Sequence, residues 1–331
     1  MRKPLRRSVV MATTPTIASY LFVLTCVLWI NSTVCRAASQ EPVHSSQNKF
    51  ATFGTDWGSS SRHARRRAEE ALPLQQMVES DQLAIQKSLQ STTLYRRLPV
   101  ELFACDGDLL AFSLDKPEAI VDIWRLLGIS RLSLDPTGPD QWQFSDGYGT
   151  VGQLRLAYRE QRQNGGMLVF HGKGAYTGPL SPKNLTGGCV LMVRYREAEP
   201  TVDGRLRQAI QVDAFLDMDG IGLEIVTRTL QPLIARSAAA NLHEICLFMA
   251  SLSDATIANP HAVATLAGRL TRTSESDRKK LATIASTVSS RRNARPNHLA
   301  DNEGNVNADQ VSVDLASRWL PSDELDHFQK Q

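Results

Sequence analysis

The chain has 331 residues, of which 42% are hydrophobic and 21% are charged, and its formal net charge is +3. This hydrophobic content is sufficient for a packed core, so the composition excludes a chain that is disordered throughout. Basic and acidic residues number 37 and 34, so the charge balance gives no case for nucleic-acid binding, which needs basic residues concentrated on one surface. The length fits one large domain or two ordinary ones.

The N-terminus has the pattern of a secretory signal peptide. Four basic residues lie within the first seven positions, and an uncharged, strongly apolar run follows from Ile17 to Ile30. This run is shorter than the roughly 20 apolar residues that span a bilayer. Small residues then favour cleavage after Ala37, which predicts an exported protein, periplasmic or secreted. The alternative is an uncleaved N-terminal membrane anchor, and membrane contact is expected only through this segment.

The region from 38 to 93 is predicted to be a polar, partly disordered segment with one helix. The basic cluster Arg62–Arg67 is typical of a solvated, flexible stretch, and contact with an anionic surface is the alternative. Apolar residues between Leu72 and Leu89 predict the helix.

An α+β domain is predicted from 94 to 253. The runs "VELFA" and "LLAFSL" are expected to be short strands on either side of the turn pair Asp106–Gly107, and a helix with Pro117 in its first turn follows. The segment "DPTGPDQ" is expected to be a loop. From Trp142 to Asp219 apolar and polar residues alternate in long segments, with a hairpin turn at Asn164–Gly165. This pattern predicts an antiparallel sheet with one solvated face, to which Asp213 and Asp217 would point.

The longest predicted helix runs from Ile221 to Leu252, where apolar residues recur at steps of three and four. A helical extension is expected from 254 to 292, and a linker with a C-terminal tail from 293 to 331.

The order of these elements resembles the START-like helix-grip superfamily, which includes polyketide cyclases and lipid-transfer domains. "SLDKPEAIVDIWRLL" looks like the first strand and helix of that family, and "FLDMDGIGLEIV" looks like its last strand entering the gripping helix. The resemblance implies a curved sheet wrapped on the long helix, with a cavity for an apolar small molecule or lipid between them. The candidates for lining this cavity are Leu156, Tyr158, His171, Met192, Leu216, Leu223 and Leu230. A protein-interaction module without a ligand is the alternative.

Catalytic motifs are weak in this sequence. Asp217 and Asp219 resemble the aspartate pair of haloacid-dehalogenase-type phosphatases, but their strand alternates in polarity, whereas a doubly buried parallel strand is apolar on both faces. His171 could be a general base or an ordinary strand histidine. Cys105, Cys189 and Cys246 are expected to be buried free thiols, with one disulfide as the alternative. No metal site or cofactor is predicted. We expect a non-enzymatic binding protein, with an aspartate-based phosphohydrolase at Asp217 and Asp219 as a further alternative.

Overall fold

The structure is a computed structural model that describes residues 58–162, 164–177, 185–202, 204–219, 223–293 and 307–325. At residues 185, 219, 223–235, 292–293 and 322–323 it describes the backbone only. The predicted signal segment and the cleavage site after Ala37 lie outside the described residues. Among the helices within these ranges, none is both long and apolar enough to cross a membrane.

Strands and helices alternate in blocks along the chain. The strands are β1 Leu94–Arg97, β2 Glu101–Ala104, β3 Ser133–Gly138, β4 Gln141–Ser145, β5 Thr150–Arg162, β6 Gly165–Tyr176, β7 Leu185–Ala198 and β8 Arg207–Asp219. The helices are α1 Arg62–Ala71, α2 Glu79–Gln90, α3 Gly107–Asp115, α4 Pro117–Leu126, α5 Leu223–Ala258, α6 Pro260–Gly268, α7 Glu275–Asn293, α8 Ala308–Ala316 and α9 Ser322–Leu325. A single 3-10 turn, Leu74–Gln76, joins α1 to α2.

One antiparallel sheet contains all the described strands. Its order is β1-β8-β7-β6-β5-β4-β3, and β2 also pairs with β8, beyond the end of β1. Side chains from one face of this sheet, which we call the inner face, share a core with the long helix α5. The predicted fold class is therefore confirmed as α+β, with an antiparallel sheet packed on a long helix and additional helices after it.

The main core extends beyond the sheet and α5 into the C-terminal helices. Val263 of α6, Leu281 of α7 and Leu315 of α8 are buried in the same cluster as the inner-face side chains. Asp122 of α4 helps to hold this extension, because its carboxylate accepts hydrogen bonds from the backbone N–H groups of Arg272 and Thr273 at 2.8 and 2.9 Å. The boundary that we expected at residue 253 lies inside α5.

The segment "LLAFSL" is a helix, so the prediction of a strand there was wrong. The Asp106 side chain accepts a hydrogen bond from the backbone N–H of Asp108 at 2.9 Å and caps the start of α3. Leu109, Leu110 and Phe112 are all buried against the main core. A short apolar run does not distinguish a buried strand from a buried helix by its periodicity, and the capping aspartate decides the outcome here.

The segment "DPTGPDQ" is mostly strand rather than loop. Its residues Asp135 to Gly138 complete β3, and Gln141 begins β4. Only Pro139 and Asp140 form the turn, in which Asp140 adopts a positive φ of 55°. Aspartate tolerates this left-handed conformation better than most residues, which allows so tight a connection.

The second face of the sheet, which we call the outer face, is covered by α1 and α2. Ala68 of α1 and Ile85 of α2 are fully buried against Val169, Val190 and Phe215 of the strands. Ser61 caps α1 by accepting a hydrogen bond from the Ala64 N–H at 3.1 Å. The predictions of a solvated face and of a flexible stretch at Arg62–Arg67 were therefore wrong, and the segment holds two α-helices instead of one.

Asp213 is fully buried on this outer face, contrary to the prediction that it points to solvent. Its carboxylate accepts hydrogen bonds from the Tyr95 hydroxyl at 2.6 Å, from Arg97 Nε at 2.8 Å and from Arg194 Nη2 at 2.8 Å. Burial raises the pKa of the Tyr95 hydroxyl, and the Asp213 charge adds to this, so the phenol remains a neutral donor. Burial also lowers the pKa of Arg194. The alternating polarity of β8 had indicated a solvated face, whereas these three donors share one buried acceptor on the face that α1 and α2 cover.

The three described cysteines are free and buried, in agreement with the first of the two alternatives. Burial raises the pKa of each thiol, to about 12 for Cys189. Because the thiolate is the reactive form, these side chains act as small apolar groups near neutral pH.

An ion pair between α5 and β2 makes stability depend on pH. His243 Nδ1 lies 2.9 Å from Glu101 Oε2, and this hydrogen bond is the main reason that the pKa of His243 is raised. A raised folded-state pKa stabilises the protein fully below the ordinary histidine pKa of about 6.5, and this contribution disappears as the pH rises through the folded-state value. The His243 side chain is 53% exposed, so we expect no more than about 1 kcal/mol.

Urea unfolding of the wild type and of His243→Gln between about pH 5.5 and 8.5, on either side of the histidine pKa, measures this contribution. The free energy of unfolding should differ most at the acidic end and converge at the alkaline end. Glu101→Gln should flatten the profile in the same way. If the free energy of unfolding changed with pH in the same way in the wild type and both variants, the pH dependence could not come from the His243–Glu101 pair.

Candidate ligand cavity

A cavity lies between the inner face of the sheet, the helices α3 and α4, and the second half of α5. Strands β5 to β8 contribute residues from their inner face, which are alternate residues because side chains two positions apart on a strand share one face. Among the described residues, its walls are formed by Phe103, Leu110, Ser113, Leu114, Pro117, Ile120, Val121, Trp124, Leu132, Leu134, Leu154, Phe170, Leu191, Val193, Ile210, Val212, Leu242, Ile245, Cys246 and Met249. The walls are almost entirely aliphatic and aromatic.

The cavity has a volume of about 130 Å³. An engineered apolar cavity of about 150 Å³ in another protein stays dry and binds benzene, so this volume suits a small ring or a short chain. Pockets for drug-sized molecules are larger, roughly 300–1,000 Å³. Close packing leaves few such voids in a protein interior, and most of the residues that line this one belong to the main core.

No charged residue is among the described residues that line the cavity. The Ser113 hydroxyl donates a hydrogen bond to the Leu109 carbonyl at 2.7 Å, so its proton is already used. Burial raises the pKa of the Cys246 thiol, which keeps it neutral. Burying an unpaired charge is very costly, so the cavity is suited to an uncharged molecule.

The seven candidate residues are not brought together. Leu156 and Leu216 lie on the inner face and belong to the main core, but neither lines the cavity. Met192 and Tyr158 lie on the outer face with the second core. The side chains of Leu223 and Leu230 lie outside the described residues.

A β-bulge explains the position of Tyr158. Leu156 pairs with Phe170 and Tyr158 with Val169, so one residue of β5, Ala157, has no partner of its own and the alternation reverses there. Tyr158 consequently packs on the outer face, and its hydroxyl donates to Gln76 Oε1 at 2.9 Å. The simple period of two in the sequence does not show this reversal.

His171 also lies on the outer face, beneath α2. Its Nε2 is 3.2 Å from the Ser88 hydroxyl, and burial lowers the pKa of the imidazole. The nearby carboxylate of Asp81 forms an ion pair with Arg155 at 2.8 Å. No hydrogen bond within the described residues orients the second ring nitrogen. The Ser88–His171 pair therefore joins α2 to β6 without the third group of a catalytic triad.

The sequence pattern indicated that several of the residues lining the cavity are buried. Leu242, Ile245 and Met249 belong to the apolar stripe of the long helix, and Leu154 shares the apolar side of its strand with Leu156. Trp124 occupies an apolar position of α4. These patterns indicate burial, but they do not indicate which buried residues border an empty space.

The aspartate pair does not form a recognisable phosphatase site in the described part of the chain. Asp217 lies near the end of β8, an antiparallel strand, and accepts a hydrogen bond from the Ser91 hydroxyl at 2.6 Å. The Asp219 side chain lies outside the described residues. Across the residues with described side chains, no group of three or more His, Cys, Asp or Glu residues could hold a metal ion.

No protein-family model matches the chain, and no curated protein matches it. The interpretation of the cavity therefore depends on its geometry and chemistry.

Proposed function

We propose that the protein is a non-enzymatic binding protein that holds a small apolar molecule in the cavity between its sheet and α5. The observation that carries this proposal is the apolar cavity of about 130 Å³ in the main core. A binding protein needs a space that excludes water and favours apolar contact, and the hydrophobic effect supplies the driving force.

The volume narrows the ligand class. A lipid with a full acyl chain is much larger than the benzene-sized molecules that a cavity of this volume holds. We therefore favour a small ring compound or a short aliphatic molecule over a lipid.

The order of elements supports the wider part of the proposal, a helix-grip-like domain, and the N-terminal signal pattern in the sequence supports export. The helices α3 and α4 stand between the first strands and the later hairpins, and the long helix follows the last strand. The family that the sequence resembles usually has such a second short helix. The covering of the outer face by α1 and α2 and the C-terminal helices are additions in this chain.

A cavity-filling substitution tests the proposal. Val121 of α4 lines the cavity, so Val121→Phe should fill it. We expect the affinity for benzene, measured by titration calorimetry, to fall at least about tenfold. The melting temperature should stay the same or rise, because filling an empty space adds contacts without forcing neighbours apart.

A matched control is the same substitution at Val263. This residue is fully buried in the main core on α6 but does not line the cavity. Val263→Phe should lower the free energy of unfolding by about 1–3 kcal/mol through overpacking. It should leave the affinity of the folded protein within roughly threefold of wild type, as expected for distant sites. The proposal fails if the wild type does not bind the probe and native mass spectrometry of the full chain detects no small molecule.

A further inference from the structure

Helix α1 carries a cluster of arginines on its exposed side, while two alanines on its other side pack into the second core. Arg62, Arg66 and Arg67 are exposed, the Arg66 side chain to 71%. Within the described residues, Arg62 and Arg67 have no ion-pair partner, and Arg66 has only the exposed Glu70 at 3.5 Å. The exposed side of α1 therefore has an excess of positive charge.

Helix stability does not explain the arrangement of these charges. The start of a helix carries a partial positive charge, so acidic residues are favourable there and basic residues are unfavourable. Helix α1 has no acidic residue in its first turn and no basic residue in its last turn. Helix α2 has the favourable arrangement, with Glu79 and Asp81 in its first turn and Lys87 in its last. The arginines of α1 oppose the dipole of their own helix, and an anion outside the chain would compensate their charge.

We propose that the exposed side of α1 binds the phosphate headgroups of an anionic lipid bilayer through Arg62, Arg66 and Arg67. A guanidinium group matches the geometry of a phosphate and donates two parallel hydrogen bonds to it. Each basic residue close to an anionic membrane surface strengthens binding roughly fivefold, so three of them together strengthen it about a hundredfold. This contact is independent of the cavity and of its ligand.

The sequence before α1 favours a bilayer over other polyanions. The apolar run Ile17–Ile30 is predicted to enter a membrane, and residues 31–61 connect this run to α1. A fully extended chain spans up to about 3.5 Å per residue, so this connection is long enough for α1 to reach the same membrane. The charge of the whole chain is nearly balanced, which disfavours a nucleic acid as the partner.

Replacing the three arginines together by glutamine, as Arg62→Gln, Arg66→Gln and Arg67→Gln, tests the proposal. Glutamine removes the charge and retains a good helix-forming side chain. Arg65 stays unchanged, because its guanidinium donates a hydrogen bond to the Leu89 carbonyl of α2 at 3.0 Å.

Flotation of the full chain measures two partition coefficients, one for vesicles of equal parts phosphatidylglycerol and phosphatidylcholine and one for vesicles of phosphatidylcholine alone. The ratio of the two isolates the effect of lipid charge from insertion of the apolar N-terminal run. We expect the triple variant to lower this ratio at least about tenfold relative to the wild type.

A matched control removes three exposed cations elsewhere, as Arg131→Gln, Arg236→Gln and Lys279→Gln. These residues belong to α5, α7 and the connection from α4 to β3. Both variants lose the same net charge, so the control separates a surface on α1 from a general effect of charge. In about 0.1 M salt the screening length is about 10 Å, so the control should keep the ratio within about threefold of wild type. Equal reductions in the two variants, or no reduction in either, would overturn the proposal.

A footprint of the wild type avoids any folding defect of a variant. The reagent p-hydroxyphenylglyoxal modifies exposed guanidinium groups, and mass spectrometry of the full chain locates the modified arginines. Vesicles with phosphatidylglycerol should slow the modification of Arg62, Arg66 and Arg67 more than that of Arg131 and Arg236. Vesicles of phosphatidylcholine alone should not distinguish the two groups.

Equal protection of all five arginines by the anionic vesicles would contradict the proposed surface. A single-stranded oligonucleotide is the competing partner in the same footprint. If it protects the arginines of α1 at a lower phosphate concentration than the anionic vesicles do, the partner is a nucleic acid and the proposal fails.

Discussion

Asp213→Ala should lower the free energy of unfolding by about 3–5 kcal/mol, the range for removing one partner from a buried ion pair. The carboxylate is fully buried and accepts hydrogen bonds from Tyr95, Arg97 and Arg194. The substitution would leave two arginine side chains and a phenol beneath α1 and α2 without their shared acceptor. The cost arises from these uncompensated groups and exceeds the net stabilisation by the intact network.

Equilibrium urea unfolding measures this effect, with Asp135→Ala as the matched control. Asp135 forms an ion pair with Arg272 at 2.7 Å, but both side chains are more than 40% exposed, so its loss should cost no more than about 1 kcal/mol. Similar small decreases in the free energy of unfolding for Asp213→Ala and Asp135→Ala would show that Asp213 is solvated in solution. That result would restore the original prediction of a solvent-facing carboxylate.

Ile85→Ala should lower the free energy of unfolding by about 2–5 kcal/mol. Ile85 of α2 is fully buried in the second core, against strand residues such as Val190 and Phe215. Truncation removes apolar contacts and leaves a space that a helix lying on a sheet closes only in part. The effect should be large only if α2 is packed on the outer face in solution.

Leu83→Ala on the same helix is the control, because the Leu83 side chain is 59% exposed. This substitution should change the free energy of unfolding by less than about 0.5 kcal/mol, as surface changes usually do. Equal effects of the two substitutions would argue that α2 does not cover the sheet. A decrease in the free energy of unfolding for Ile85→Ala alone would support a sheet that has a packed core on each of its two faces.

Elements with a long, regular pattern were predictable from the sequence. The alternation from Ile210 to Leu216 predicts β8 with Val212 and Ala214 on the inner face, and the structure places them there. The stripe that includes Leu242 and Met249 predicts the long helix. Each pattern repeats over many residues of a single element, so local backbone geometry is enough to interpret it.

Short segments and irregular points were less predictable. "LLAFSL" is too short to show its period, and its helix depends on the cap at Asp106. The bulge at Ala157 reverses the face of Tyr158 through the pairing of β5 with β6, which is set by the partner strand. Helix α8 falls in the region that was predicted only as a linker and C-terminal tail, and its docking into the main core depends on the surface that α5 and α6 present.

The sequence by itself determined the α+β class, the antiparallel strands and the long helix, because each follows from the periodicity of one element. Only the tertiary structure decided which faces are covered and where space remains. The polar side of β8 is compatible with water or with a buried network, and the covering by α1 and α2 makes it the latter. The cavity likewise arises where several elements meet, since burial depends on contacts between elements that are distant in sequence.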